Sequence, residues 1–304
     1  MKIAVFGIGG VGGIVGGVLA RAHPETFFCV RGKNLDAIRQ DGLQVRSVQF
    51  GDFTVRPRLA SDDAAELGPM DAVILSCKGH HLPKTCRAAA PMITPCTVVV
   101  PLLNGVLVSE LLEPLLPPCV LADGVIYIFS HLEGPGRVAQ TLGKCRVIAG
   151  MKDGSRPPAL EELAGILNRA GVDTAVTEDI LTESWRKYAT MGSSSTMFCY
   201  YDGPAGKVRQ DPGYETALRA VIGDMIAVAA ARGVTLPADT ADRLVENFSK
   251  TPPDTMTSLY RDLSGGKPAQ DTELHHIIGR MVEMGRETGI PTPYHEAAYR
   301  RFAP

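Results

Sequence analysis

The chain has 304 residues, room for two domains, with 45% hydrophobic and 21% charged residues, the balance of an ordinary globular protein. A net charge of −2 with no basic run argues against a nucleic-acid partner, and no apolar run approaches the roughly 18 residues that a membrane span needs. The cysteines number seven, are widely spaced and include no Cys-x-x-Cys, which argues against a disulfide framework or zinc site and suits a reducing cytosol.

In chain order, KIAVF, TFFCV, DAVILSC, CTVVVPL and VLADGVIYIF read as buried strands. VGGIVGGVLARA, KNLDAIRQD and HLPKTCRAAAPM, lying between them, read as helices. That alternation predicts an α/β fold with a doubly wound, mainly parallel sheet. LQVRSVQFGDFTVRPRL reads as two paired strands turning at Gly51-Asp52, and LEGPGRV (132–138) as a further turn, so part of the sheet should be antiparallel. A helix in PPALEELAGILNRAG and a strand VDTAV follow. From Asp179 onward the patterns are helical, over 180–200, 213–233, 239–249 and 270–288, broken by Pro204, Pro237, Pro252-Pro253 and Pro268. The expected division is a dinucleotide-binding domain over 1–178 and an all-helical substrate or dimerisation domain over 179–304. The N-terminus shows no basic flank or cleavage site, so the expected location is the cytoplasm.

GIGGVG sets Gly7, Gly9 and Gly12 in Gly-x-Gly-x-x-Gly spacing between a strand and a helix, the Rossmann context the motif requires. Gly7 permits the tight turn, Gly9 lets backbone approach a pyrophosphate, and Gly12 lets helix and sheet pack closely. Gly7, Ile8, Gly9, Gly10, Val11 and Gly12 are therefore candidate cofactor-binding residues. Gly16 and Gly17 would each cost about 1 kcal/mol in a helix interior, which implies further close packing. After the second strand, where an NAD site carries an acid, the chain reads CVRGKN. Arg31 there, with Lys33 behind it, suits the 2′-phosphate of NADPH.

In SWRKYATMGSSSTMF, Lys187 shares a helix face with Ile180, Ser184, Met191 and Ser194 or Ser195. Taken alone, a lysine there reads as a stem on apolar surface with its ammonium in solvent. Together with VRGKNLDAIRQDGLQV, VILSCKGHHL, LLNGV, TSLYRDL and DTELHHIIG, however, the segment resembles the ketopantoate reductase family (2-dehydropantoate 2-reductase) over nearly the whole chain. The resemblance implies NADPH-dependent reduction of 2-dehydropantoate to pantoate, in pantothenate biosynthesis, in a cleft between a Rossmann domain and a helical domain. It implies Lys187 and Glu273 as catalytic residues and Ser258 as a carboxylate ligand. Lys78 is implied near the cofactor, and Asn104 beside the nicotinamide, orienting either Lys187 or the carboxamide. Glu273 would polarise Lys187 or hold a substrate hydroxyl, and would also face the cofactor.

Three positions depart from the family pattern. Met191 stands for a usual asparagine, Ser195-Thr196 for Asn-Pro, and Ile278-Gly279 for Asn-Gly; an insertion falls within GGKPAQDTEL. Met191 and Ser195 remain candidate substrate-binding residues, but a thioether neither donates nor accepts as an amide does. A less hydroxylated 2-oxo acid, or an imine, is therefore the alternative substrate. A non-catalytic NADPH sensor is the alternative from another class, and it would not need Lys187 and Glu273 together. His80-His81 and His275-His276 lack zinc-site spacing, so no metal is expected. Ser193-Ser194-Ser195 lacks a nucleophile elbow, and Trp185 and Cys77 read as core. The expected partner is a small-molecule 2-oxo acid, and the helical domain offers an apolar face that a homodimer could bury.

Overall fold

The computed structural model describes residues 1–303. Its first compact unit runs to Ile180 apart from Lys78–His80 and Asn104–Val106, which belong to the second. In chain order the first unit holds β1 (Ile3–Phe6), α1 (Gly10–Ala22), β2 (Thr26–Cys29), α2 (Lys33–Asp41), β3 (Leu43–Ser47), β4 (Phe53–Val55), β5 (Leu59–Ser61) and α3 (Ala64–Leu67). Then come β6 (Ala72–Leu75), α4 (Leu82–Ala89), β7 (Val98–Pro101), α5 (Val108–Leu112), β8 (Val120–Leu121), β9 (Asp123–Gly134), β10 (Arg137–Gly150), α6 (Pro158–Arg169) and β11 (Asp173–Val176).

These strands form two sheets rather than the single mainly parallel sheet expected. The first is six-stranded and wholly parallel, in the order β5-β2-β1-β6-β7-β8. The chain runs outward from β1 in one direction to β2 and in the other to β6. The carboxyl ends of β1 and β6 therefore flank the crevice where ligands bind in such sheets. The second sheet is built on β10, which is long enough to pair with β3 through Arg137–Gln140 and with β11 through Arg146–Ala149 on one edge, and antiparallel with β9 on the other. The run 120–129 thus divides: β8 closes the first sheet, and β9 carries Tyr127 and Phe129 out to exposed positions, so it is not a buried strand throughout. Likewise 43–59 gives three strands, because β5 leaves the β3–β4 pair to join β2 in parallel.

Alternation along β1 explains the layering. Ile3 and Val5 join Ile14, Val18, Val138 and Leu163 in a core on one face, whereas Ala4 joins Val73, Cys86 and Met92 in a core on the other. Helix α1 lies between the sheets, and its glycines are what let it fit. A Cβ on Gly13 would sit 2.3 Å from a methyl of Val138, and one on Gly17 2.7 Å from a methyl of Val45.

The second unit is helical from Leu181 on, and no strand occurs among the described residues there. It comprises most of α7 (Ile180–Tyr201), then α8 (Ala205–Gln210), α9 (Tyr214–Ala231), α10 (Thr240–Ser249), α11 (Ser258–Ser264), α12 (Arg280–Thr288) and α13 (Pro293–Phe302). Helix α9 packs against α8, α10, α12 and α13. The helix expected over 270–288 is instead a 3₁₀ turn at Ala269–Asp271, a π-helical turn at His275–Gly279, and α12. No helix is long and apolar enough to cross a membrane among the described residues. All seven cysteines are free. Trp185 is fully buried, but Cys77 is only half-buried, so it is not a core thiol.

Candidate active site

The glycine loop leaves β1 with Gly7 at φ +94°, a conformation that favours glycine. Gly12 is closed from behind: a Cβ there would meet the Gly7 carbonyl oxygen at 2.0 Å and Ser76 Oγ at 2.2 Å. Gly9 is open, since a Cβ there would meet nothing within 4 Å. As the N-cap of α1, Gly9 offers no side chain to the first helical amides, which leaves them for an anion. Open space at Gly9 and close contact at Gly12 fit a pyrophosphate on this helix end, and Gly7, Ile8, Gly9, Gly10, Val11 and Gly12 are the residues that could hold it. Arg31 and Lys33 are exposed directly after β2, around Gly32 at φ +60°.

The second unit assembles a polar cluster from four stretches of chain. Lys187, half-buried on α7, donates from Nζ to Asn104 Oδ1 at 3.3 Å. The same amide donates from Nδ2 to Oε2 of buried Glu273 at 3.4 Å. Asn104 therefore bridges the ammonium and the carboxylate, with its oxygen toward one and its nitrogen toward the other. Burial pushes the Lys187 ammonium down to about 8 from 10.5, and the Glu273 charge only partly offsets that. Such a group is still mostly protonated at neutral pH, yet gives up its proton readily.

Lys78 donates to Asp262 Oδ2 at 2.7 Å, and Lys267 reaches the same oxygen at 3.3 Å. Burial lowers the Lys78 value, but hydrogen bonding and charge from Asp262 outweigh it and hold the ammonium above its usual range. Burial likewise raises Asp262, and its bond and charge from Lys78 bring it below the carboxylate range. Ser258 is exposed as the first residue of α11. Met191, one turn beyond Lys187, is half-buried. Ser195 is fully buried with its Oγ unbonded to protein, and Ile278 is fully buried. Lys187, Asn104 and Glu273 are thus brought together directly. No hydrogen bond ties Ser195, Met191 or Ser258 to them.

Sequence reasoning passed over three residues around this cluster. Tyr188, fully buried, donates to the Ile277 carbonyl at 2.5 Å, fastening α7 to the π-helical turn just beyond Glu273. Asp262 anchors Lys78. His276, considered only as a metal ligand, bonds the Asn104 backbone. A signal for it was available in the glycines that follow Lys78 and Asn104, since both make room for its ring. Among the described residues, no group of three or more His, Cys, Asp or Glu side chains is placed to hold a metal ion.

A doubly wound sheet with a glycine-rich first turn, followed by a helical unit bearing a lysine–amide–carboxylate cluster, defines an NAD(P)-dependent oxidoreductase. Residues 3–154 match the family model described as ketopantoate reductase PanE/ApbA, and residues 179–303 match its C-terminal counterpart; the chain belongs to the ketopantoate reductase family. It is 28% identical to a 2-dehydropantoate 2-reductase of Mesorhizobium japonicum, over 96% of this chain and 94% of that one. It is 26% identical to an uncharacterized oxidoreductase, YkpB, of Bacillus subtilis, over 98% and 97%. Among solved structures, a PanE/ApbA family ketopantoate reductase from Ralstonia eutropha superposes with a TM-score of 0.88 at 29% identity, covering 99% of this chain and 96% of that one.

Proposed function

We propose that this enzyme reduces a 2-oxo acid with NADPH and that 2-dehydropantoate, reduced to pantoate, is its substrate. The observation that carries this reading is the cluster in which Asn104 holds Lys187 and Glu273 together. A bound nicotinamide would supply the hydride. As the carbonyl carbon accepts it, the π electron pair moves to oxygen, and Lys187 Nζ donates a proton to that oxygen. Glu273 stabilises the ammonium beforehand, and the Asn104 amide fixes its direction. Ser258 and Lys78 are the groups proposed for the substrate carboxylate and the cofactor. Arg31 selects NADPH over NADH by pairing with the 2′-phosphate. The relatives named 2-dehydropantoate 2-reductase support the choice of acid.

A second reading rests on Met191. Its half-buried thioether lies one turn from Lys187, where an amide would bond a hydroxyl. A branched 2-oxo acid with an apolar group, such as 2-oxoisovalerate, loses nothing there. A panel of 2-oxo acids with NADPH oxidation followed by absorbance separates the two. Turnover of 2-dehydropantoate well above the others supports the first, preference for 2-oxoisovalerate supports the second, and no turnover of any member contradicts both.

A further inference from the structure

We propose that His276 is a positioning residue that joins the three loops bearing Lys78, Asn104 and Glu273 and so sets the Asn104 amide between Lys187 and Glu273; the proposal rests on the reading of that cluster as the reductase centre. His276 is buried in the π-helical turn that starts two residues after Glu273. Its Nε2 lies 2.6 Å from the Asn104 carbonyl oxygen. A carbonyl only accepts, so Nε2 carries the proton and donates. The ring is seated between two glycines. A Cβ on Gly79, next to Lys78, would lie 2.4 Å from its Cγ, and one on Gly105, next to Asn104, 2.6 Å from its Nε2. Gly105 has φ +127°, so the loop both turns and empties at that point to admit the ring. A π-turn adds a residue to the helix and redirects the side chains around it. Here that extra residue falls where Glu273 and His276 must meet the same asparagine, one at its side chain and one at its backbone.

His276 needs no contact with substrate to matter. The amide of Asn104 can be aimed at both Lys187 and Glu273 only while its own backbone is fixed. A misplacement of about 1 Å in such a group costs up to about 100-fold in rate. Three substitutions separate a donor from a filler. His276→Gln keeps an N–H at the reach of Nε2, His276→Phe keeps the ring shape without a donor, and His276→Asn has a donor too short to reach. Each variant of the full chain is assayed for melting temperature, NADPH affinity, kcat and KM with 2-dehydropantoate. In parallel, the pH at which Lys187 becomes acylated by trace anhydride is read by peptide mass spectrometry, a measurement that needs no substrate.

The expected result is a fall in kcat of about 10- to 100-fold in the Phe and Asn variants, with NADPH affinity kept and the Lys187 acylation midpoint displaced. The Gln variant should restore both kcat and midpoint. Equal loss in the Gln and Phe variants, or an unmoved midpoint and kcat in both the Phe and Asn variants, overturns the proposal. If the Phe variant does not fold, the Gln–Asn pair decides in the same way. If the parent reduces no 2-oxo acid while the midpoint moves in the Phe and Asn variants alone, the positioning role stands and the proposed reaction fails.

Discussion

At the scale of single residues, the distinctive group is a lysine whose burial brings its ammonium to about 8. Its proton is useful only while present, so kcat/KM should fall tenfold per pH unit above about 8, the value that a free-enzyme profile reports. The stability sign follows from the same depression. Between about 8 and 10.5 the unfolded chain holds a proton that the folded chain has lost, so this lysine makes folding more favourable as pH rises through that window. A Lys187→Met variant, melted beside the parent at pH 7 and pH 10, should be the more stable of the two by a larger margin at pH 7. A second test concerns Arg31. Removing a charge-assisted bond worth about 1.5–3 kcal/mol should abolish most of the NADPH preference in Arg31→Ala, as measured by titrating both cofactors. Equal NADPH and NADH affinity in the parent would overturn that assignment. Lys187, Asn104 and Glu273, which the structure brings into one cluster, were legible as candidates because each sits in a short segment with a family pattern, and Arg31 as a candidate because it follows the second strand where an NAD site carries an acid. Tyr188 and His276 were not: their roles consist of bonds to backbone carbonyls 89 and 172 residues away, and residue type alone does not reveal such partners.

At the scale of elements, α1 shows one residue type serving two ends. Gly9 faces open space, whereas Gly13 presses on Val138. Gly9→Ala should leave the melting temperature nearly unchanged and weaken NADPH binding, because the new methyl enters the open space proposed for the pyrophosphate. Gly13→Ala should cost about 1–3 kcal/mol of stability by overpacking. Chemical denaturation with cofactor titration on both proteins checks the pair, and the reverse pattern would contradict the placement of the pyrophosphate. Tyr188→Phe should destabilise by about 1–3 kcal/mol, since the Ile277 carbonyl loses its buried donor. The strands around α1 and the long α7 were legible from β-branched runs and helical spacing. The second sheet was not. Its key is the length of β10, whose two halves take different partners on one edge, and periodicity records alternation along a strand but not its neighbours. Helices α8 and α11 escaped notice because they are short and begin beside prolines or polar runs that read as breaks, and α13 because it opens on Pro293 just after Pro291. The π-turn escaped because its sequence, HHIIG, continues a helical pattern without interruption.

At the scale of the whole molecule, the two units bring different chemistry: the first a helix end and basic residues suited to a dinucleotide, the second a lysine, proposed as the proton donor, held through an amide to a carboxylate. Cofactor binding and proton delivery should therefore separate on mutation. The measurement that bears on this most directly uses Lys187→Met in one preparation, with NADPH affinity read by fluorescence and turnover of 2-dehydropantoate read by NADPH oxidation at pH 7. The expected result is affinity within about twofold of the parent and kcat lowered about 100-fold or more. A variant that turns over at the parental rate, or one that loses NADPH binding as completely as turnover, would contradict the assignment of Lys187 as the proton donor.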